Sequence, residues 1–154
     1  MTVTASGSRE VAAPRRTVWR ALAVLSPYCA VCDVSYVVSD KPRKGTTFVC
    51  VPGRLGDESP AEGAPQGEIL EWEPNRLVTT RLRLTPETWT TRLELADAGP
   101  DATRVTITLT QEPVGGSRLV HLVQRGAMRR TVQRMVDEEL DKLPAHVAQA
   151  AESG

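Results

Sequence analysis

Between Trp89 and Leu95 the chain alternates without a break. Trp89, Thr91, Leu93 and Leu95 fall on one side, and Thr88, Thr90, Arg92 and Glu94 on the other. After a turn at 97–101, Val105, Ile107 and Leu109 alternate in the same way with Arg104, Thr106, Thr108 and Thr110. A period of two marks strands whose two faces meet different surroundings. Joined by a short turn, such strands form an antiparallel pair that is dry on one side and wet on the other. The dry side needs a cover, and this requirement constrains the rest of the chain.

One segment is long enough to supply that cover. Gly115, Gly116 and Ser117 start a C-terminal helix that Pro144 ends or kinks. At about 1.5 Å per residue its roughly 25 residues span about 38 Å, enough to cross a sheet. Its apolar residues change sides near Gly126. Leu119, Val120, Leu122, Val123 and Ala127 share one stripe, whereas Met128, Val132, Met135, Val136, Leu140 and Leu143 share the opposite one. A straight helix on one sheet cannot bury both stripes, so a bend or a second contact surface is expected there.

The remaining segments add strands and short helices. Val3, Ala5, Gly7 and Val11 alternate as a first strand, with small residues inward in its first half. Pro14 opens a short helix whose buried face is Val18, Trp19, Leu22 and Leu25. Ser26 and Pro27 read as the cap and first position of a second short helix. Residues 33–39 and 46–51 form a hairpin around the turn-forming 40–45, and 52–65 is a loop rich in glycine, proline and acids. Strands at 67–72 and 77–84 follow, the second with Val78, Thr80, Leu82 and Leu84 on one face. The fold class is therefore α+β: one domain over 1–149 with a disordered tail at 150–154.

Composition narrows the function classes. Nineteen basic residues balance nineteen acidic ones, so no net field attracts nucleic acid or an anionic membrane. Aromatic residues are 4% of the chain, too few for base-stacking platforms. The longest apolar runs, such as Ala21 to Leu25, are far too short to span a bilayer. Residues 1–10 are polar and alternating, unlike an export signal, and the three cysteines fit reduced thiols in a cytoplasmic protein.

Individual residues sharpen the outline. Val11, Ala12, Ala13 and Pro14 followed by Val18 and Trp19 resemble the opening of the SRPBCC superfamily. This is the helix-grip fold of lipid-transfer START domains, birch-pollen-allergen-like proteins and polyketide cyclase/dehydrase-like proteins. The run from Gly67 to Glu71 with Pro74, the run from Trp89 to Leu93, and the run from Thr103 to Thr106 after a turn containing Gly99 resemble its middle strands. The resemblance covers nearly the whole chain. It implies a curved seven-stranded antiparallel sheet gripping the long C-terminal helix, two short helices after the first strand, and an apolar cavity between sheet and helix.

The inward positions then propose a cavity lined by Thr80, Leu82, Trp89, Thr91, Leu93, Ile107, Leu109, Met128 and Val132, with Leu119, Val120, Leu122 and Val123 as a lid. The partner is a hydrophobic small molecule such as a lipid, polyketide or other secondary metabolite, oriented by the two threonines. No cofactor and no metal are expected, and the protein is read as a monomer or weak homodimer. An alternative is a cyclase or dehydratase in the same cavity, for which Arg9 and Glu71 are the nearest titratable candidates. A second alternative is a protein-interaction module that uses the first stripe of the last helix.

Cys29 and Cys32 have the spacing of a redox pair or half a zinc site, but no second pair accompanies them, and packing cysteines without metal are expected. The arginines of the last helix oppose its apolar stripes, as a solvated face should. His121 and His146 have no evident catalytic partner, and His146 falls near the frayed end of the helix.

Overall fold

In the computed structural model the backbone is described for residues 2–23, 28–30, 33–55, 60, 62–84, 87–112 and 118–153. Side chains are described for the same residues except 28–29, 84, 118–125 and 151–153. In chain order the elements are β1 (Val3–Val11), α1 (Arg15–Leu22), β2 (Tyr28–Cys29), β3 (Val34–Val38) and β4 (Thr47–Pro52). They continue with β5 (Gln66–Glu73), β6 (Leu77–Leu84), β7 (Glu87–Gly99), β8 (Ala102–Glu112) and α2 (Arg118–Ser153). Every strand pairing is antiparallel, in the order β1-β8-β7-β6-β5-β4-β3-β2. Seven strands are those expected from the alternation, and the two-residue β2 is an eighth at the edge. Ser26 and Pro27 lie outside the described residues. Tyr28 and Cys29, expected just inside a helix there, pair instead with Ser35 and Val34. Cys29 therefore stands in an edge strand and not in the first turn of a helix.

Pro14 stands at the cap of α1 rather than within it, and its carbonyl accepts from the Thr17 and Val18 amides. Val18 and Trp19 are the buried face, with Leu22 packed beside them; Leu25 lies outside the described residues. Trp19 meets Trp72 of β5 edge-to-face, with ring centroids 4.9 Å apart, which ties α1 to the far side of the sheet.

The second apolar stripe of α2 is its core face. Val132, Val136, Leu140 and Leu143 are buried and Met128 is packed against them, at the three- and four-residue steps of a helix. Met135 is an exception to the expected stripe: its side chain is 37% exposed. The stripe packs chiefly on β1, β8 and α1. It comes close because β1 presents small residues. A Cβ added at Gly7 would lie 2.8 Å from Leu140 Cδ1 and 3.2 Å from Val136 Cγ1.

Pro144 neither ends nor stops the helix, which continues through Ser153, past the boundary expected at 149. A proline inside a helix leaves the carbonyl four residues earlier without its amide donor. That carbonyl belongs to Leu140, and Arg9 Nη1 of β1 donates to it at 3.2 Å while also facing Asp141 at 3.8 Å. Arg9 thus repairs the helix at its proline and is not a free group of the concave face.

His146 sits one turn beyond Lys142 and is buried, not frayed. Burial holds its imidazole below the ordinary value of 6.5; nearby Glu139, at 4.0 Å, opposes the shift and Lys142 adds to it.

Two expectations follow. Gly7→Val should lower the unfolding free energy by about 1–3 kcal/mol in urea titrations, because the new side chain overlaps Leu140 and Val136. Above pH 6.5, His146 is neutral in both folded and unfolded chains. On acidification below that value the unfolded chain takes up the proton first, so stability falls until the lower folded pKa is reached. His146→Gln should flatten this part of the stability profile, and an unchanged slope would show that other groups carry it.

Candidate functional site on the inner face of the sheet

Residues directly opposite one another in an antiparallel ladder share a face, so the register reads out the inner surface in rows. The first row runs Trp72, Val78, Leu93, Ile107, Gly7. The second runs Ile69, Thr80, Thr91, Leu109, Ala5. The third runs Val38, Phe48, Gly67, Leu82, Trp89, Gln111, Val3. Phe48 lies flat across Gly67, where any Cβ would collide with its ring.

Burial divides these rows. Leu93, Ile107 and Leu109 are buried in the core with Val132 of α2, under the helix. Thr80, Leu82, Trp89 and Thr91 are only half-buried, although they occupy the centre of the dry face. They form a two-by-two patch on β6 and β7, Thr80 opposite Thr91 and Leu82 opposite Trp89. Met128, also half-buried, stands on the helix side. The patch is open because α2 is drawn toward β1 and β8. All nine expected lining residues are thus on the inner face or on the stripe of α2 that packs there, and five of them keep access to solvent. Leu119, Val120, Leu122 and Val123 belong to α2 by backbone; their side chains lie outside the described residues, as does the His121 side chain.

Two polar residues of this face escaped the sequence reading. Glu87 shares the parity of Trp89 and Thr91, and its Oε2 accepts from the Trp89 indole Nε1 at 3.0 Å. Gln111 continues the parity of Val105, Ile107 and Leu109. Its side chain is 1% exposed, and neither Nε2 nor Oε1 has a hydrogen-bond partner among the described residues. The signal for both was parity alone, extended one step past each alternating run.

Glu71 is a correction in the other direction. Counting by twos from Gly67 and Ile69 turns it inward, but the register shifts between Ile69 and Glu71, which marks a β-bulge. Trp72 consequently points in, and Glu71 points out. There it accepts from Thr79 Oγ1 at 2.6 Å and faces Arg92 at 3.6 Å. With Arg9 committed to the helix, neither sequence candidate for acid–base work reaches the patch. Cys50, opposite Tyr36, has its thiol pushed up by burial and stays protonated near neutral pH. The Cys29 side chain and Cys32 lie outside the described residues. Among the described residues no cluster of three or more His, Cys, Asp or Glu side chains is arranged to hold a metal, and no helix is long and apolar enough to cross a membrane. A groove of about 270 Å³ on the outer face, lined by Arg76, Leu77, Glu94 and Arg104 among others, lies apart from the patch.

The sequence pattern of the family described as "Polyketide cyclase / dehydrase and lipid transport" matches residues 2–148. The chain belongs to this family. No curated protein matches the sequence. Among solved structures, the protein of unknown function SA2116 from Staphylococcus aureus superposes with a TM-score of 0.72 at 10% identity, over 99% of this chain and 97% of that one. Ara h 8.0201 superposes with a TM-score of 0.63 at 14% identity over 100% of both chains. The Zhui aromatase/cyclase from Streptomyces sp. R1128 has the same TM-score and identity, over 98% and 94%. At these identities the likeness establishes the fold, here the helix-grip fold of this polyketide cyclase and lipid transport family.

Gln111→Met should stabilise the isolated protein. Each unpaired buried polar group costs about 1–3 kcal/mol, and methionine keeps the length of the side chain without its amide. Urea unfolding should shift to higher concentration, and a shift to lower concentration would show that the amide is partnered in the folded protein.

Proposed function

We propose that the protein binds a hydrophobic small molecule between the inner face of its sheet and α2. The observation that supports this most directly is the half-buried two-by-two patch of Thr80, Leu82, Trp89 and Thr91 at the centre of the inner face, beside the buried Leu93, Ile107 and Leu109. A surface that is apolar, concave and open, with a few polar groups, suits a ligand that the protein desolvates and orients. Leu82 and the Trp89 ring supply the apolar contact, and the two threonine hydroxyls are placed to orient a polar group. Family membership points the same way, toward lipid transport or polyketide chemistry.

A cyclase or dehydratase acting on the bound molecule is the second reading, and Glu87 is what favours it. This carboxylate lies on the inner face beside the patch and is held by the Trp89 indole. A carboxylate there is the kind of group that acid–base chemistry on the bound molecule requires.

Thr91→Trp should fill the patch and reduce uptake of the neutral fluorophore Nile red by about tenfold or more, while circular dichroism stays that of the folded chain. Unchanged uptake by the folded variant would place the ligand elsewhere. For the second reading, Glu87→Gln should abolish turnover of a bound polyketide while leaving dye uptake intact. Equal turnover by the two proteins would remove Glu87 from any chemistry.

A further inference from the structure

Gln111 is buried in the row that runs from Val3 through Trp89 to Leu82, and neither its amide nitrogen nor its amide oxygen has a partner among the described residues. A buried amide left in this state costs stability, and a group that met its donor and acceptor together would recover that cost. The same row opens to solvent at Trp89 and Leu82, and Thr91 and Thr80 lie in the next row. The Trp89 indole N–H already serves Glu87, so it is not the missing partner.

Within β3–β8 the charge that points inward is acidic. Arg81, Arg83, Arg92 and Arg104 alternate out of phase with Leu82, Trp89, Thr91, Leu93, Val105 and Ile107, and therefore point to the outer face. Among the described residues of β3–β8, no lysine or arginine points inward, whereas the carboxylate of Glu87 does. A ligand carboxylate brought here would lose its hydration without gaining a cation from the described residues of β3–β8, and although it could accept from Gln111 Nε2 it has no donor for Oε1.

We infer that Gln111 selects the ligand by its end group: the site takes an uncharged group that carries a hydrogen-bond donor beside an acceptor, such as a primary amide or a lactam, and discriminates against a carboxylate on the same hydrocarbon chain. Only a group of that kind satisfies Nε2 and Oε1 together, in a paired, planar arrangement. The inference rests on the proposed binding at the inner face, and it assigns the polar end of that ligand to the β7–β8 side of the patch.

The test is displacement of Nile red from the full chain by dodecanamide and by dodecanoate, at about pH 8, where the acid is ionised. The amide should displace the dye at a concentration about tenfold lower than the carboxylate, and Gln111→Met should lose about tenfold toward the amide while changing little toward the carboxylate. Gln111→Leu provides the same comparison if the methionine variant does not fold. Dye uptake with equal or stronger displacement by dodecanoate overturns this inference and leaves the binding reading standing. An amide preference that survives both substitutions overturns the role of Gln111. Failure of the wild-type chain to take up the dye overturns the binding reading and this inference with it.

Discussion

The architecture depends on how closely α2 approaches β1. Ala5 and Gly7 leave almost no side chain between the strand and the helix, and Val136 and Leu140 settle into the space. Close packing of this kind is strongly distance-dependent, since dispersion falls off steeply once a gap opens. The helix is therefore held toward the β1–β8 side of the sheet. A larger residue at position 7 would meet Leu140 and Val136 and force them off the strand. The open patch at Thr80, Leu82, Trp89 and Thr91 is the geometric counterpart of that docking: burial gained at β1 and β8 is burial withheld from β6 and β7.

The proline in α2 shows how the same contact is maintained further along the chain. Pro144 removes the donor to the Leu140 carbonyl, directly beside the Gly7 contact. Left unpaired in a half-dry setting, that carbonyl would loosen the helix where its docking is tightest. The Arg9 guanidinium, two residues along β1 from Gly7, supplies the donor from the strand side. Strand and helix are thus joined by a polar bond as well as by close packing. Glu139, Lys142 and buried His146 lie on the segment that this bond secures.

Much of this was legible in the sequence because period and parity are local properties. The alternation through 89–95 and 105–109 placed the dry face correctly, and the stripe from Met128 to Leu143 placed the helix on it, Met135 apart. What failed were single-residue events that leave no periodic trace. The bulge after Ile69 exchanges Glu71 for Trp72 on the inner face, and only the register reveals it. Pro144 reads equally as a stop or a kink, and the choice was not legible because its compensation comes from Arg9, 131 residues away along the chain. Tyr28 and Cys29 read as the start of a helix because a two-residue edge strand is too short to show a period. Gln111 and Glu87 went unread for a different reason: they are polar residues in an apolar phase, and a reading by hydropathy ends a strand's dry face where the apolar run ends.

Those two residues also show why the inner face is more than a core left unfilled. A stable cover for a sheet is built from apolar side chains alone, as rows near β1 and β8 largely are. Between Thr80 and Gln111 the face instead carries two hydroxyls, a carboxylate held by an indole, and an amide with nothing to bond. Each of these is less favourable than the leucine or valine that would fit the same phase. Thr103 and Arg9 are polar in the same phase at the other end of the sheet, but each has a backbone carbonyl as partner, of Ala13 and of Leu140; Gln111 has none among the described residues. The hydroxyls of Thr80 and Thr91 and the Glu87 carboxylate are half-buried there, whereas the Gln111 amide is fully buried beside them, so the least favourable of these groups is also the one water does not reach.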